Sequence, residues 1–177
     1  MEANSQPLAS GTALRELRRE IESCAQSMSA GHLLPRPDGK WNVAQILEHL
    51  YLTYTGTIRG LNGVVEAGKP LARARTMKDG VRTFVVTGLG YIPTGRKSPP
   101  VAMPRSLDVE IVRTQIGAQL TALENLLNDC ARQFGRRTRI LDHPVLGPLT
   151  AAEWGKFHVA HGKHHLKQVA ERWSAPR

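Results

Sequence analysis

Apolar side chains recur at alternating steps of three and four along four stretches of the chain, and each stretch reads as an amphipathic helix. In the first, Leu14, Leu17, Ile21, Cys24 and Met28 form one stripe, which predicts a helix from about Thr12 to Met28. The run SAGHLLPRPDGKW breaks it, because Pro35, Pro37 and the Asp38-Gly39 pair are turn chemistry. A second helix opens at Asn42, a good N-cap. Gln45 sits three residues on to complete a capping box, and Trp41 and Ile46 hold the staple positions. Val43, Ile46, Leu47, Leu50, Tyr54, Leu61 and Val65 carry its face to about Ala67, where Gly68-Lys69-Pro70 stops it.

A third long helix is expected from near Ser106, with Asp108 and Glu110 suited to the positive end of its dipole. Ile111, Leu120, Leu123, Leu127, Cys130 and Phe134 are its predicted buried face. The last helix opens at Thr150, with Glu153 completing a capping box and Leu149 and Trp154 at the staple positions, and runs to about Trp173, with Pro176 beyond. Between the second and third helices, residues 69–105 are irregular. Met77, Val81, Phe84 and Val85 could line a short helix, and GLGYIPTGRKSPPVAMP reads as loop. No segment reads as a strand, and FVV at 84–86 is too short to build a sheet. The expected architecture is all-α: a four-helix bundle. The long 69–105 crossover lets helices two and three run parallel, and the short links elsewhere suit antiparallel neighbours, giving up-down-down-up order.

The 177 residues fit one domain, with residues 1–11 as a flexible N-terminus. Apolar content is 41% and aromatic content 5%, so aliphatic side chains must do most of the packing. No stretch approaches the ~18 apolar residues of a membrane span, and the polar N-terminus lacks a secretory core; the cytoplasm is the expected compartment. Cys24 and Cys130 fall on predicted apolar faces and read as reduced thiols. The net charge is +9, but the basic residues interleave with acids and carry no aromatic stacking pattern. That favours a solvated basic surface over a nucleic-acid footprint, and an anionic small substrate also fits.

Four of seven histidines lie in FHVAHGKHHLKQ: His158, His161, His164 and His165. His161 and His165 are four apart, so on a helix they project one turn apart from one side, a spacing that lets two imidazoles share a metal ion. At ~100° per residue they sit mid-stripe among Trp154, Phe157, His158, Gln168 and Val169, facing the core. His164 falls about 80° to the flank. His49 lies ~10 Å into the second helix, and His165 lies ~12 Å from the end of the last. In antiparallel helices these reach the same level, which makes His49 the third candidate ligand. Thr53, Gly56 and Gly60 share its side and could either leave space for a substrate or let two helices approach. His32 and His143 read as loop residues.

WNVAQILEHL, followed far downstream by HPVLGPLTAAEWGKFHVAHGKHHLKQ, resembles the DinB/YfiT-like superfamily of metalloenzymes, in particular its DinB-like branch described as a domain of unknown function. The resemblance implies a bundle of up-down-down-up order. It also implies a divalent metal, commonly nickel or zinc, on His49, His161 and His165. Members with known chemistry include S-transferases that use bacillithiol or mycothiol and a mycothiol-dependent isomerase, and homodimers are expected by the same resemblance.

Three imidazoles with an open coordination position suit a catalytic site that activates water, as a hydrolase, or a low-molecular-weight thiol, as a transferase. No general base stands out. Glu48 points about 100° from His49 and reads as a surface residue. His158, one turn before His161, is a candidate to assist the site, as are His164 and Gln168. Tyr91, Arg96 and Lys97, in the irregular 88–104 segment, could meet an anionic substrate. Two other readings stand beside the enzyme: a non-catalytic binding module stapled by its metal, and a nucleic-acid binder using the basic surface.

Overall fold

The structure is a computed structural model that describes residues 8, 10–29, 33, 39–93 and 98–173. His32, Pro35, Pro37, Asp38, Arg96, Lys97 and Pro176 lie outside the described residues, as does most of the predicted N-terminal tail. Leu8 and Ser10, within that predicted tail, are buried, and the Leu8 backbone N–H donates to Asn128.

The described residues are mostly helical. Four long helices occur where the apolar stripes put them: α1 (Gly11–Gln26), α2 (Val43–Glu66), α4 (Val109–Phe134) and α5 (Ala151–Trp173), with a short α3 (Met77–Thr83) in the link after α2. The capping chemistry accounts for the starts. The Asn42 side chain accepts from the Gln45 N–H while Gln45 accepts from the Asn42 N–H, and Thr150 and Glu153 make the same reciprocal pair. The third predicted helix begins later than Ser106, because Asp108 is its cap, accepting from the Glu110 N–H.

α1 packs on α4 and α5, and α2 packs on α4 and α5. Leu17, Ile21, Ile46, Leu47, Leu50, Leu61, Ile116, Leu120, Leu123 and Leu127 are fully enclosed between them and belong to one apolar cluster. Two stripe residues fall on the wrong side. Val65 and Ile111 are exposed, and Val64, Val112 and Ile116 take the buried places. Among the described residues, no helix is long and apolar enough to cross a membrane.

The expectation of no strands is corrected. Arg139–His143 (β1) and Gly147–Thr150 (β2) form an antiparallel hairpin before α5. Its strands are four and five residues long, β2 contains Pro148, and the register slips between Arg139 and Leu141. Those features erase the alternation that announces a strand. Ile140, Leu146 and Leu149 tuck beneath it.

The short helix in the link exists, but its polarity is inverted. Met77, Val81 and Phe84, expected to line it, are 91%, 65% and 62% exposed, and its buried residues are Asp79 and Thr83. Asp79 explains the inversion. Its carboxylate accepts from both terminal nitrogens of Arg73 and from the Thr76 backbone and hydroxyl, and those donors hold it well below the usual carboxylate range. The residues read as FVV are part of a π-helical turn, Phe84–Gly88, not an extended segment.

Candidate metal site

Three histidines from two helices converge. His49 projects from the second turn of α2, and His161 and His165 project from α5. The His161 Nε2 lies 3.1 Å from the His49 Nε2 and 3.1 Å from the His165 Nε2. All three are buried, at 3%, 9% and 7% exposure.

The far side of two rings is committed. The His49 Nδ1–H donates to the Ala102 carbonyl over 2.7 Å, and the His165 Nδ1–H donates to the Gln168 Oε1 over 2.9 Å. With the proton on Nδ1, each ring turns an Nε2 lone pair inward. Gln168 is oriented in turn, its amide nitrogen lying 3.0 Å from the His164 Nε2. The His161 Nδ1 is buried and has no hydrogen-bond partner among the described residues.

Burial sets the protonation. It pushes the His165 imidazole down to about 3, with neighbouring His49 adding to it. Burial also lowers His49, against a smaller opposing effect of the Ala102 hydrogen bond. His161 is driven well below its ordinary value by burial first and then by His165 and His49. Three neutral imidazoles whose lone pairs meet are mutually unfavourable unless something positive lies between them. Nitrogens bound ~2.1 Å from one ion at tetrahedral angles would be about 3.4 Å apart, close to the spacing observed. The group could therefore hold a metal ion.

The remaining candidates are sorted by the same geometry. His158 is fully buried, stacked on Trp154 with Phe157 and Tyr54 around it; neither ring nitrogen has a hydrogen-bond partner among the described residues, and burial lowers it to about 3. His164 reaches the site through Gln168 and by an edge contact with His165, ring centroids 5.2 Å apart. Tyr91 is exposed. Gly60 admits Leu141 of the hairpin, whose Cδ2 lies 2.6 Å from where a Cβ would stand, whereas Gly56 has open space beside it.

Two expectations change. Glu48 is a buried residue, 4% exposed, because the end of the crossover folds over its side of α2 and donates the Arg105 and Leu107 N–H groups to its Oε1. His143 is a strand residue; its Nδ1 accepts from the Val145 and Leu146 N–H groups and closes the hairpin turn. The sequence also gave no sign of the Ala102 carbonyl, since a backbone acceptor carries no residue signature. Trp41, whose ring centroid is 5.1 Å from that of His49, and Phe157, stacked at 5.2 Å on His161, wall the group. A cavity of about 580 Å³ is lined by Trp41, Asn42, Gln45, Glu48 and Ser106 among others and by none of the three histidines.

No curated protein and no solved structure gives a match to this chain. A family model described as the DinB superfamily matches residues 13–169, a span that takes in all three histidines and the crossover between α2 and α4, and the chain belongs to that superfamily.

Proposed function

We propose that this protein is a metal-dependent enzyme in which His49, His161 and His165 hold one divalent ion, nickel or zinc, and act on a small electrophilic or anionic substrate. The observation that carries the reading is the meeting of three neutral Nε2 atoms within 3.1 Å steps, two of them fixed by Nδ1–H donation. An ion held there lowers the proton affinity of a water or a thiol at neutral pH, the chemistry of hydrolysis or of thiol-dependent group transfer. The chain's own part is orientation and exclusion of water. Ala102 and Gln168 set the two rings, and Trp41 and Phe157 cover them. His158 sits one turn from His161 in a pocket that keeps it neutral, and it supports the site by packing.

The same reading takes the chain as a single domain in the cytoplasm. Its long helices run up-down-down-up, which the long α2–α4 link and the hairpin link before α5 support. It also takes a homodimer as the working assembly. Turnover of electrophilic substrates with and without added thiols, each with and without chelator, tests the chemistry. Activity that needs metal and thiol selects transfer, and activity that needs metal alone selects hydrolysis.

One observation favours a second reading. The three histidines are at most 9% exposed, which suits an ion that only staples α2 to α5. A chelator that lowers the melting temperature of a protein with no turnover on any substrate supports the staple.

A further inference from the structure

A carboxylate beside the histidine group has no part in the proposed chemistry, yet it is buried and accepts two backbone donors. Glu48 immediately precedes His49 on α2 and is 4% exposed. A single atom, its Oε1, accepts the Arg105 N–H at 2.7 Å and the Leu107 N–H at 3.1 Å. Between those donors stands Ser106 with φ +62°, the one non-glycine residue with positive φ among the described residues. A serine in that region is held there by its surroundings, and two N–H groups converging on one oxygen are such a restraint. Three residues upstream of Arg105, the same strip of crossover presents the Ala102 carbonyl to the His49 Nδ1. Consecutive residues of α2 thus grip one short segment twice, Glu48 by its bend and His49 by its carbonyl.

We propose that Glu48 is a positioning residue for the metal site: it fixes the Arg105–Leu107 bend, which holds the Ala102 carbonyl where it commits the His49 proton to Nδ1 and leaves Nε2 free to bind. The inference rests on the metal-site reading above. Its distinctive content is that Glu48 acts by reach, not by charge. The accepting atom is one oxygen, which an amide also offers, whereas a side chain one methylene shorter does not arrive at both donors.

The test is zinc affinity of the full chain, by competition with a chromogenic chelator, for the wild type, Glu48→Gln and Glu48→Asp. Partners of ligating histidines typically contribute tenfold to a hundredfold in affinity. Glu48→Gln should stay within about threefold of wild type, while Glu48→Asp, which keeps the charge, should lose about tenfold or more. Nitrogen-15 spectra of the zinc-free imidazoles should show His49 as the Nδ1–H tautomer in wild type and Glu48→Gln and as a mixture in Glu48→Asp. The reverse ranking would mean the carboxylate attracts the ion by charge and overturns the proposal. So does a Glu48→Asp that melts lower but binds zinc as tightly as wild type, which is a purely structural clamp. If Glu48→Asp does not fold, a folded Glu48→Gln decides alone: retained affinity and tautomer support reach, and a tenfold loss overturns it. A wild type that holds no zinc fails earlier, taking the metal-site reading down with it.

Discussion

His49 and His165 reach one protonation pattern by different routes, a backbone carbonyl for the first and a side-chain amide for the second. The amide route is the one that mutation can cut. Gln168→Leu removes the acceptor for the His165 Nδ1–H and frees that ring to turn or change tautomer. It should weaken zinc or nickel binding by about tenfold to a hundredfold with helix content unchanged, read by chelator competition. His158 makes a separate prediction. Its folded value of about 3 lies below the ordinary ~6.5, so acid favours the unfolded chain, which takes up the proton. Its contribution is complete above about pH 6.5 and is lost as pH falls from there toward 3. Between pH 7.5 and 5.0 it accounts for about 2 kcal/mol of lost stability. His158→Phe should remove that share, so that urea midpoints at the two pH values lie closer together than in wild type. The variant should be no less stable at pH 7.5, because two buried nitrogens that have no partner among the described residues are gone.

At the scale of elements, the seam between α1 and α5 depends on glycine. A Cβ at Gly162 would stand 2.6 Å from one Leu17 methyl and 2.7 Å from the other, and Leu17 is fully enclosed. Gly155, two turns earlier, faces Ser10 and Leu14 on the same helix flank. Gly162→Ala should destabilise by about 1–3 kcal/mol despite its better helix propensity, and adding Leu17→Ala should recover part of the loss by thermal melting. The helices themselves were legible in the sequence, because Asn42/Gln45 and Thr150/Glu153 write their caps in side chains and the three-four stripes write their faces. The histidine group was legible too: two rings four apart follow from helix geometry, and a third at equal depth follows once the two helices are taken as antiparallel. Glu48, Ala102 and the face of α3 were not, since each depends on where the crossover lies. Asp79 on a short helix looks like a solvated charge until Arg73 and Thr76 are seen to surround it. The hairpin escaped because Pro148 and a bulge stand where alternation would be.

At the scale of the molecule, the proposed ion would tie α2 to α5, helices that otherwise meet through apolar packing, and it would do so beneath a crossover pinned by Glu48 and His49. Binding to the folded state alone adds stability by mass action, about 2.7 kcal/mol at a free ion concentration a hundred times the Kd. For a chain of this size that is about 5–10 °C in melting temperature, so chelation should lower the melting point by that amount and restored nickel or zinc should return it. Protons should compete with the ion for these imidazoles only at low pH, because burial holds His165 at about 3 and His49 and His161 below their ordinary value. The most direct measurement is elemental analysis of the purified protein, reconstituted with nickel or zinc and freed of excess, beside His49→Ala treated identically. The account predicts about one divalent ion per wild-type chain and a loss of most of it in a variant that keeps its helical circular dichroism. Equal metal in the two proteins, or none in the wild type after reconstitution, would contradict it.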